Sequence, residues 1–329
     1  MANWRTEENI NANGGTELMM DALYRNVDND LLDKFQIIPS RVRELDPTKV
    51  RVLWCHDLAG DPESNHLANG GWSRFHKIVF VSHWQQQQYI NHYQIPWDRT
   101  IVMHNAIDPV VREQTDKKDT IDIVYHTTPH RGLEIVVPVF AKLYEKHKDI
   151  KLHVFSSFKI YGWEQRDQPY QPLFDDISKH PAMAYHGTVS NSEIKRQLAT
   201  MDIFAYPSIW QETSCISLIE AMSARLMCVH PNFGALYETA ANWTQMYNWS
   251  DDVNRHANMF AAVLDNAIDA VRSNHPSLAI KLDNQKSYCD LFYNWQIRKL
   301  QWTELLNSLK DSPTEIEQPS GGFFTYKTL

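Results

Sequence analysis

The feature that most constrains the fold is an alternation of short apolar runs with helical patterns, which extends over most of the 329 residues. This alternation is typical of parallel α/β proteins. We predict a first series of strands at 35–38, 50–55, 78–82 and 101–104, and a second at 121–125, 151–155, 184–186, 203–206 and 227–230. The clearest helices are predicted at 131–147, 192–200, 214–224, 258–272 and 284–308.

A charged stretch at 112–119, after Asp108-Pro109, separates the two series and is typical of a linker. A hydrophobic content of 43% in a chain of this length is enough for two moderate cores. We therefore predict one domain over 1–112, a second over 113–290, and a last helix with an irregular tail over 291–329.

Composition limits which binding partners and which cellular compartment fit this chain. The formal net charge of −8 argues against nucleic acid or an anionic membrane as the main partner. The four cysteines, Cys55, Cys215, Cys228 and Cys289, lack paired spacing, which favours a reducing compartment. The first residues are polar and acidic, unlike a signal peptide, and no run reaches the length of a membrane span. We expect a cytoplasmic protein, with peripheral membrane contact left open.

Glu212 and Glu220 are the most informative residues for function, because the seven residues between them carry no charge. The apolar run before them, Asp202-Ile-Phe-Ala-Tyr-Pro207, indicates a strand, and the residues after Glu212 indicate a helix with a buried face. One carboxylate is therefore expected in a strand-to-helix loop and the other about two turns into the helix. Ligands of α/β sheets bind at such carboxyl ends of strands.

This stretch resembles the E-x7-E signature of the family 4 retaining glycosyltransferases. Glu220-Ala-Met-Ser-Ala224 resembles the family's Glu-Ala-Met-Ala helix, and Gly234-Ala-Leu-Tyr-Glu-Thr239 its next glycine loop and Glu. The resemblance implies the α/β GT-B fold, in which two Rossmann-like domains with parallel sheets face a central cleft. The family's usual opening strand is hard to find within residues 1–13, so the first domain is expected to be shortened. It also implies a nucleotide diphosphate-sugar as the donor substrate, a hydroxyl acceptor, and no cofactor.

The resemblance assigns the donor site to the second domain. Glu212 would contact the donor sugar near the reacting centre, and Glu220 would accept hydrogen bonds from the ribose. Arg131 lies in Thr127-Thr-Pro-His-Arg-Gly-Leu133, which resembles the family's diphosphate motif, and its guanidinium can hold phosphate in a bidentate manner. The family often carries a further Gly-Arg where this chain has His126-Thr127, and Lys159 is the candidate replacement for that cation.

The start of the next helix is a second candidate phosphate site. A helix beginning near Thr213 or Ser214 would direct free backbone N–H groups at an anion. Family members commonly have Gly at the position of Cys215, which places the fit of the donor there in question.

In the first domain, Gly15 belongs to Asn13-Gly-Gly-Thr-Glu17, which resembles the family's glycine-rich loop. His56 ends the strand at 50–55, where the resemblance places an active-site histidine, and Asp57 would orient it or begin the next turn. Segments 81–84 and 104–108 resemble two further family markers and are interpreted as scaffold. The acidic triplet Asp28-Asn-Asp30 is expected to be a solvated loop, and we predict no metal requirement.

The leading hypothesis is sugar transfer with retention, catalysed by Glu212 and His56. Two alternatives remain open at this stage. One keeps the fold but changes the reaction, to a nucleotide-sugar epimerase or a phosphorylase. The other is a non-catalytic nucleotide-sugar binder, which the shortened first domain and the missing cation would favour.

Overall fold

The chain contains two parallel β-sheets, and the computed structural model describes residues 12–112 and 119–316. The first sheet has the order β1-β2-β3-β4 and the second the order β10-β9-β8-β5-β6-β7. The strands are β1 (Phe35–Pro39), β2 (Val50–Cys55), β3 (Lys77–Phe80), β4 (Thr100–Val102), β5 (Ile121–Tyr125), β6 (Ile150–Val154), β7 (Met183–Tyr185), β8 (Ile203–Ala205), β9 (Met227–Pro231) and β10 (Gln245–Tyr247). We call residues 12–106 the first unit and residues 119–293 the second unit.

Every predicted strand is present within two residues of its expected ends. The mostly apolar and almost wholly buried runs of β2, β5 and β9 follow from parallel sheets that are covered on both faces. The strand that was missed, β10, is three residues long and pairs with β9 alone at the sheet edge. Its sequence, Gln-Met-Tyr, is too short and too polar to show a strand pattern.

The helices cover the two sheets, and three predictions about them need correction. Predicted helix 284–308 is two helices, because the chain breaks at Tyr293 and the Asn294 side chain accepts the N–H of Ile297 to begin a new one. The triplet 28–30 is no solvated loop, since Asp28 caps a short helix. The helix expected from residue 213 or 214 begins at Ile216. The helices are α1 (Gly15–Asn26), α2 (Asn29–Leu32), α3 (His83–Tyr93), α4 (Leu133–Lys146), α5 (Gln171–Lys179), α6 (Asn191–Leu198), α7 (Ile216–Ser223), α8 (Leu236–Ala240), α9 (Val253–Ser273), α10 (Pro276–Phe292) and α11 (Trp295–Leu309).

The order of the second sheet positions a ligand site. The chain builds β5, β6 and β7 outward in one direction, then returns to place β8 on the other side of β5. This is the strand order of dinucleotide-binding sheets, in which ligands bind outside the carboxyl ends of the strands where the direction reverses. The loops that follow β5 and β8 therefore flank the switch point of this sheet.

The last helix, α11, packs on the first unit. Trp302 of α11 lies with its ring centroid 4.8 Å from that of Trp54 of β2, and both side chains are fully buried. Trp295, Leu305 and Leu306 join the same apolar cluster. The chain thus crosses from α10 of the second unit back to the core of the first.

Parts of three predictions lie outside the described residues. They are the opening strand before residue 12, the middle of the linker at 113–118, and the tail beyond 316. Within the described residues, no helix combines the length and the apolarity needed to cross a bilayer.

Candidate active site

The two units face each other across a cleft of about 1390 Å³ at the carboxyl ends of their strands. All eight residues predicted from the sequence line this cleft: Gly15, His56, Arg131, Lys159, Glu212, Thr213, Ser214 and Glu220. The structure therefore brings together residues up to 205 positions apart in the sequence, from Gly15 to Glu220.

Arg131 and Glu212 meet at the switch point. Arg131, in the loop after β5, donates from Nη1 to Oε1 of Glu212, in the loop after β8. The hydroxyl of Tyr206 donates to the same carboxylate oxygen, and Glu212 is 4% exposed. Burial opposes the charge on Arg131, but the carboxylate of Glu212 together with Tyr161 and Tyr206 outweighs it and leaves the pKa of the guanidinium well above its usual value. A hydrogen-bonded ion pair thus occupies the centre of the cleft wall.

Two glycines allow these loops to approach. Gly132 follows Arg131 with φ +125°, and a Cβ there would lie 2.3 Å from the carbonyl oxygen of Pro207. Gly234 has φ +60°, and a Cβ there would lie 2.6 Å from the carbonyl oxygen of Glu212. Any side chain at these positions would push the loops apart, so the two glycines fix the placement of Arg131 and Glu212.

Glu220 lies on α7 just over one turn beyond the start of the helix, and it is 4% exposed. Asn191, at the start of α6, donates from Nδ2 to Glu220 Oε1 at 2.8 Å. Burial raises the pKa of Glu220, and the hydrogen bond from Asn191 partly offsets the rise. This carboxylate is held in a fixed orientation at the cleft wall.

The loop before α7 is tied to the first unit. The Thr213 hydroxyl donates to the carbonyl oxygen of His56 at 2.8 Å, and the Thr213 carbonyl accepts from the Ser82 hydroxyl at 2.6 Å. Because its hydroxyl and its carbonyl are already paired, Thr213 could contact a bound donor substrate only through its backbone N–H. Ser214, the next residue, lines the cleft without a side-chain hydrogen bond to any described residue.

Cys215 does not need to be glycine in this chain. Its φ is −99°, which any residue adopts, and its buried Sγ accepts the N–H of Leu218 at 3.4 Å as the cap of α7. Burial raises the pKa of the thiol well above its usual value, so it stays neutral. Cys215 packs in the hydrophobic core of the second unit and also lines the cleft, and the fit of a donor beside it stays a prediction.

The first unit contributes His56 and the glycine loop. His56 follows β2, its backbone N–H donates to the Ser40 hydroxyl at 2.7 Å, and burial lowers its pKa to about 3, so the ring is neutral. Gly14 caps α1 without a side-chain hydrogen bond, and residues 14–17 at this helix start line the cleft. The first N–H groups of a helix have no partner within the helix, so this end of α1 is a candidate anion site.

Lys159 lies at the rim. Its side chain is 63% exposed and its ammonium is 3.9 Å from Glu164, a distance that indicates a weak, screened contact. Tyr161, two residues on, packs against Gly14, because a Cβ on that glycine would lie 2.3 Å from Tyr161 Cε1. The backbone N–H of Asn13 also donates to the carbonyl oxygen of Ile160 at 2.7 Å. The segment that holds Lys159 thus contacts the glycine loop across the cleft.

Several residues that line the cleft or support it from beneath were not predicted. Tyr206 and Asn191 orient the two carboxylates, and Trp210 lies with its ring centroid 5.9 Å from Cζ of Arg131. His130 lies between Trp210 and Phe158, at ring distances of 5.0 and 5.1 Å. Trp210 and His130 could have been found from the sequence, because they lie close to the predicted residues Glu212 and Arg131. No feature of the sequence pointed to Asn191.

Buried nitrogens without a partner mark the cleft as a ligand site. Among the described residues, no group accepts from or donates to Arg131 Nε, His56 Nε2, His126 Nε2 or His130 Nδ1. All four belong to residues that line the cleft. Buried polar atoms are rarely left unpaired, so these four nitrogens are candidates for hydrogen bonds to a ligand or to water in the cleft.

Comparison with known proteins agrees with this geometry. Residues 107–269 match the family model of glycosyl transferases group 1. This segment is just under half of the chain, and it contains the whole six-stranded sheet and the pair Glu212 and Glu220. No curated protein sequence matches the chain.

Several solved structures share the fold. A glycosyltransferase from Rickettsia africae ESF-5 superposes with a TM-score of 0.66 at 16% identity, over 91% of this chain and 81% of that one. Sucrose-phosphate synthase from Thermosynechococcus elongatus gives 0.61 at 14% identity, over 79% and 68%. HepE from Anabaena, solved in complex with UDP-glucose, gives 0.60 at 16% identity, over 79% and 73%.

The fold and the cleft define a GT-B protein, with two parallel α/β units facing a central cleft. Its segment 107–269 matches the model of glycosyl transferases group 1, which supports the resemblance to glycosyltransferases found in the sequence; membership of family 4 stays a prediction.

Proposed function

We propose that this protein is a retaining glycosyltransferase that moves a hexose-type sugar from a nucleotide diphosphate-sugar to a hydroxyl group, without a metal in the reaction. The observation that carries the proposal is the meeting of Arg131 and Glu212 at the switch point, with Glu220 on the next helix. The group 1 domain supports glycosyl transfer from a nucleotide sugar. Because HepE was solved with UDP-glucose, UDP-sugars are the first donors to test.

The diphosphate would lie between Arg131 and the amino ends of α1 and α7. Arg131 has an unpartnered Nε, and a guanidinium presents several donors in one plane to phosphate oxygens. Helix amino ends add backbone N–H groups and a partial positive charge. Lys159, at the rim, would supply a second cation by swinging inward from solvent.

The two carboxylates suit the two sugar rings of the donor, which are the ribose of the nucleotide and the sugar that is transferred. Glu220 is oriented by Asn191 and would accept hydrogen bonds from the ribose hydroxyls. Glu212 would accept hydrogen bonds from hydroxyls of the transferred sugar once Arg131 turns to the diphosphate. Carboxylates are pure acceptors when ionised, which matches both roles.

The chemistry would follow from the electrostatics of the departing phosphate. The bond between the anomeric carbon and the phosphate oxygen breaks, the acceptor oxygen bonds to the same face of that carbon, and the acceptor proton passes to the leaving phosphate. Arg131 and the helix N–H groups would stabilise the developing charge, the largest contribution in many enzymes. His56 is neutral and unpartnered at Nε2, so it can hydrogen-bond the transferring sugar.

The test is release of nucleoside diphosphate from a panel of UDP-, GDP- and ADP-sugars, with and without sugar, glycan and lipid acceptors. We expect acceptor-dependent release that needs no added Mg²⁺ or Mn²⁺ and that falls by about 100-fold or more in Glu212→Gln and Arg131→Gln, the scale of losing one electrostatic contact. Glu134→Gln is the control, because Glu134 is an exposed acid close to the same loop and outside the cleft. NMR of the product would show the retained anomeric configuration.

Three other outcomes would contradict the proposal. Tight binding of a nucleotide sugar without turnover on any acceptor would indicate a binding protein. Interconversion of free nucleotide sugars would indicate an epimerase. An inverted product would keep the transferase and reject the same-face mechanism.

A further inference from the structure

Three side chains with metal-binding atoms meet where α8 of the second unit touches the amino end of α3 in the first. Glu238 Oε1 lies 3.1 Å from Nδ1 of His83 and 3.0 Å from Nε2 of His104. One ligand atom from each of the three lies within 4.8 Å of the others. None of the three lines the cleft, so this cluster is separate from the candidate active site.

The carboxylate of this cluster is held in place and charged. The backbone N–H of His83 donates to Glu238 Oε1 at 2.8 Å, and that of Trp84 donates to Oε2 at 2.9 Å. Burial opposes ionisation, but these donors and His104 outweigh it and lower the pKa of Glu238 to about 2. The carboxylate is therefore an anion near neutral pH, with its orientation set by the helix end.

The two imidazoles differ in how far they are exposed to solvent. His104 is largely buried, and its ring lies 5.1 Å from that of Phe292, which holds it in position. The side chain of His83 is 68% exposed, which leaves the cluster open to solvent. The site thus has two fixed ligand groups, a third that can turn toward an ion, and an entry path.

We infer that His83, His104 and Glu238 form a binding site for a transition-metal dication of the zinc type, and that the ion bridges the two units. Two imidazole nitrogens and one carboxylate oxygen are a known zinc donor set, with a fourth position left for water. With zinc–nitrogen bonds of about 2.0–2.1 Å, ligand atoms around a tetrahedral ion lie roughly 3.3–3.4 Å apart. The separations of 3.0 and 3.1 Å need to open by only a few tenths of an ångström.

The set of ligand atoms also argues against magnesium and calcium. Magnesium and calcium prefer oxygen ligands, and this cluster offers a single carboxylate. Copper and nickel accept imidazole and would compete with zinc, so selectivity would depend on which metal is supplied.

A second cluster in the described residues has similar ligand atoms but is not expected to bind a metal. His147, Asp265 and Asp269 also place ligand atoms within 4.8 Å of one another. There, however, Lys146 donates to Asp265 at 2.8 Å and Arg272 donates to Asp269 at 2.6 Å. These cations already neutralise the carboxylates and would repel a dication. The cluster at Glu238 has histidines in their place.

Zinc at this position would hold the units together, because His83 and His104 belong to the first unit and Glu238 to the second. This inference does not depend on the proposed function, and its test uses no activity. The measurement is isothermal titration calorimetry of the full chain with ZnCl₂ and, separately, MgCl₂ at neutral pH. We expect one zinc per chain, no magnesium binding, and a higher unfolding midpoint with zinc.

Two variants keep the hydrogen bonds but remove the ligands. His104→Gln and His83→Asn still offer an N–H to Glu238, so each should fold and yet lose zinc affinity by more than about tenfold, a loss that even outer-shell changes can produce. His147→Gln is the matched control, since it removes a histidine from the second cluster and should leave zinc binding unchanged.

The inference is wrong if zinc binds equally well to the double variant His83→Asn/His104→Gln, or if the unaltered chain takes up no zinc. Titration of the unaltered chain with Co²⁺ gives an answer that does not rely on the variants folding. Strong visible absorption from four-coordinate Co²⁺ supports the site, whereas weak absorption from six-coordinate Co²⁺, or none, overturns it.

Discussion

Arg131 and Glu212 form a buried ion pair that joins the loops on either side of the switch point. Each group is proposed to bind a different part of the donor, yet in this structure each neutralises the other. Binding a donor would therefore exchange partners: phosphate oxygens would replace the carboxylate on Arg131, and sugar hydroxyls would replace the guanidinium on Glu212. The charged side chains of Arg131 and Glu212 would then be separated only while a donor is bound.

The first prediction concerns this pair. Arg131→Met leaves the Glu212 carboxylate buried with Tyr206 as its remaining donor, and we expect the free energy of unfolding to fall by about 3 kcal/mol. In the double variant Arg131→Met/Glu212→Gln no charge remains to be buried, so part of that loss should return. Urea denaturation of the two single variants, the double variant and the unaltered chain measures the coupling. Strictly additive losses would show that the two groups do not interact.

The second prediction concerns Tyr206 as a positioning residue. Tyr206→Phe removes the hydroxyl that orients Glu212 while keeping the buried ring. We expect about 1 kcal/mol of lost stability and, under the proposed function, a lower kcat with little change in the KM for the donor.

Tyr125→Phe is its control, because Tyr125 is equally buried, lies 6.2 Å away between ring centroids, and donates to the Thr128 carbonyl instead. It should cost similar stability and leave kcat largely unchanged. An equal fall in kcat for both variants would reduce Tyr206 to a packing role.

The third prediction concerns Gly234. Gly234→Ala places a Cβ 2.6 Å from the Glu212 carbonyl oxygen and 2.7 Å from its nitrogen, at φ +60°. We expect a loss of about 1–3 kcal/mol in the free energy of unfolding, together with weaker donor binding as the loop is displaced. Gly70→Ala is the matched control. Gly70 has φ +81° with no described atom within 4 Å of a Cβ, so it carries the backbone cost without the clash. Equal effects in the two variants would mean that Gly234 serves conformation alone.

The fourth prediction concerns pH. The pKa of Glu238 is lowered from 4.5 to about 2 in the folded chain, so its contribution to stability is present above pH 4.5 and is lost as pH falls toward 2. A shift of this size corresponds to about 3 kcal/mol at neutral pH. Glu238→Gln should therefore be less stable by that order at pH 7, and the difference should narrow as the pH drops from 4.5 to 3. Urea denaturation at several pH values measures it, and a difference that stays constant over this range would contradict the assignment.

Much of the scaffold could be predicted because local sequence determines it. The apolar runs of β5 and β9 can be buried only in a covered parallel sheet, and the strand-to-helix transition around Glu212 lies within one short segment. The same locality explains why Arg131 and Glu220 could be picked out, since each belongs to a recognisable run. Their roles toward a donor remain predictions.

What could not be predicted depends on contacts between distant segments. The backbone N–H groups near Thr213 were expected to serve phosphate, and that stays a prediction; the bond from the Thr213 hydroxyl to the carbonyl oxygen of His56, 157 positions away in the other unit, was not foreseen. Asn191 orients Glu220 across 29 positions, and no local pattern connects them. The break at Tyr293 and Asn294 was missed because the helical pattern runs through it, while the packing of α11 on Trp54 determines where the chain turns.

The two hydrogen bonds of Thr213 have a consequence for the donor-sugar site. They tie the segment next to Glu212 to His56 and Ser82 of the first unit. Under the proposed function, loss of either contact would leave the Glu212 carboxylate less well positioned toward a bound donor. Thr213 would then link the support of the donor-sugar site to the contact between the two units.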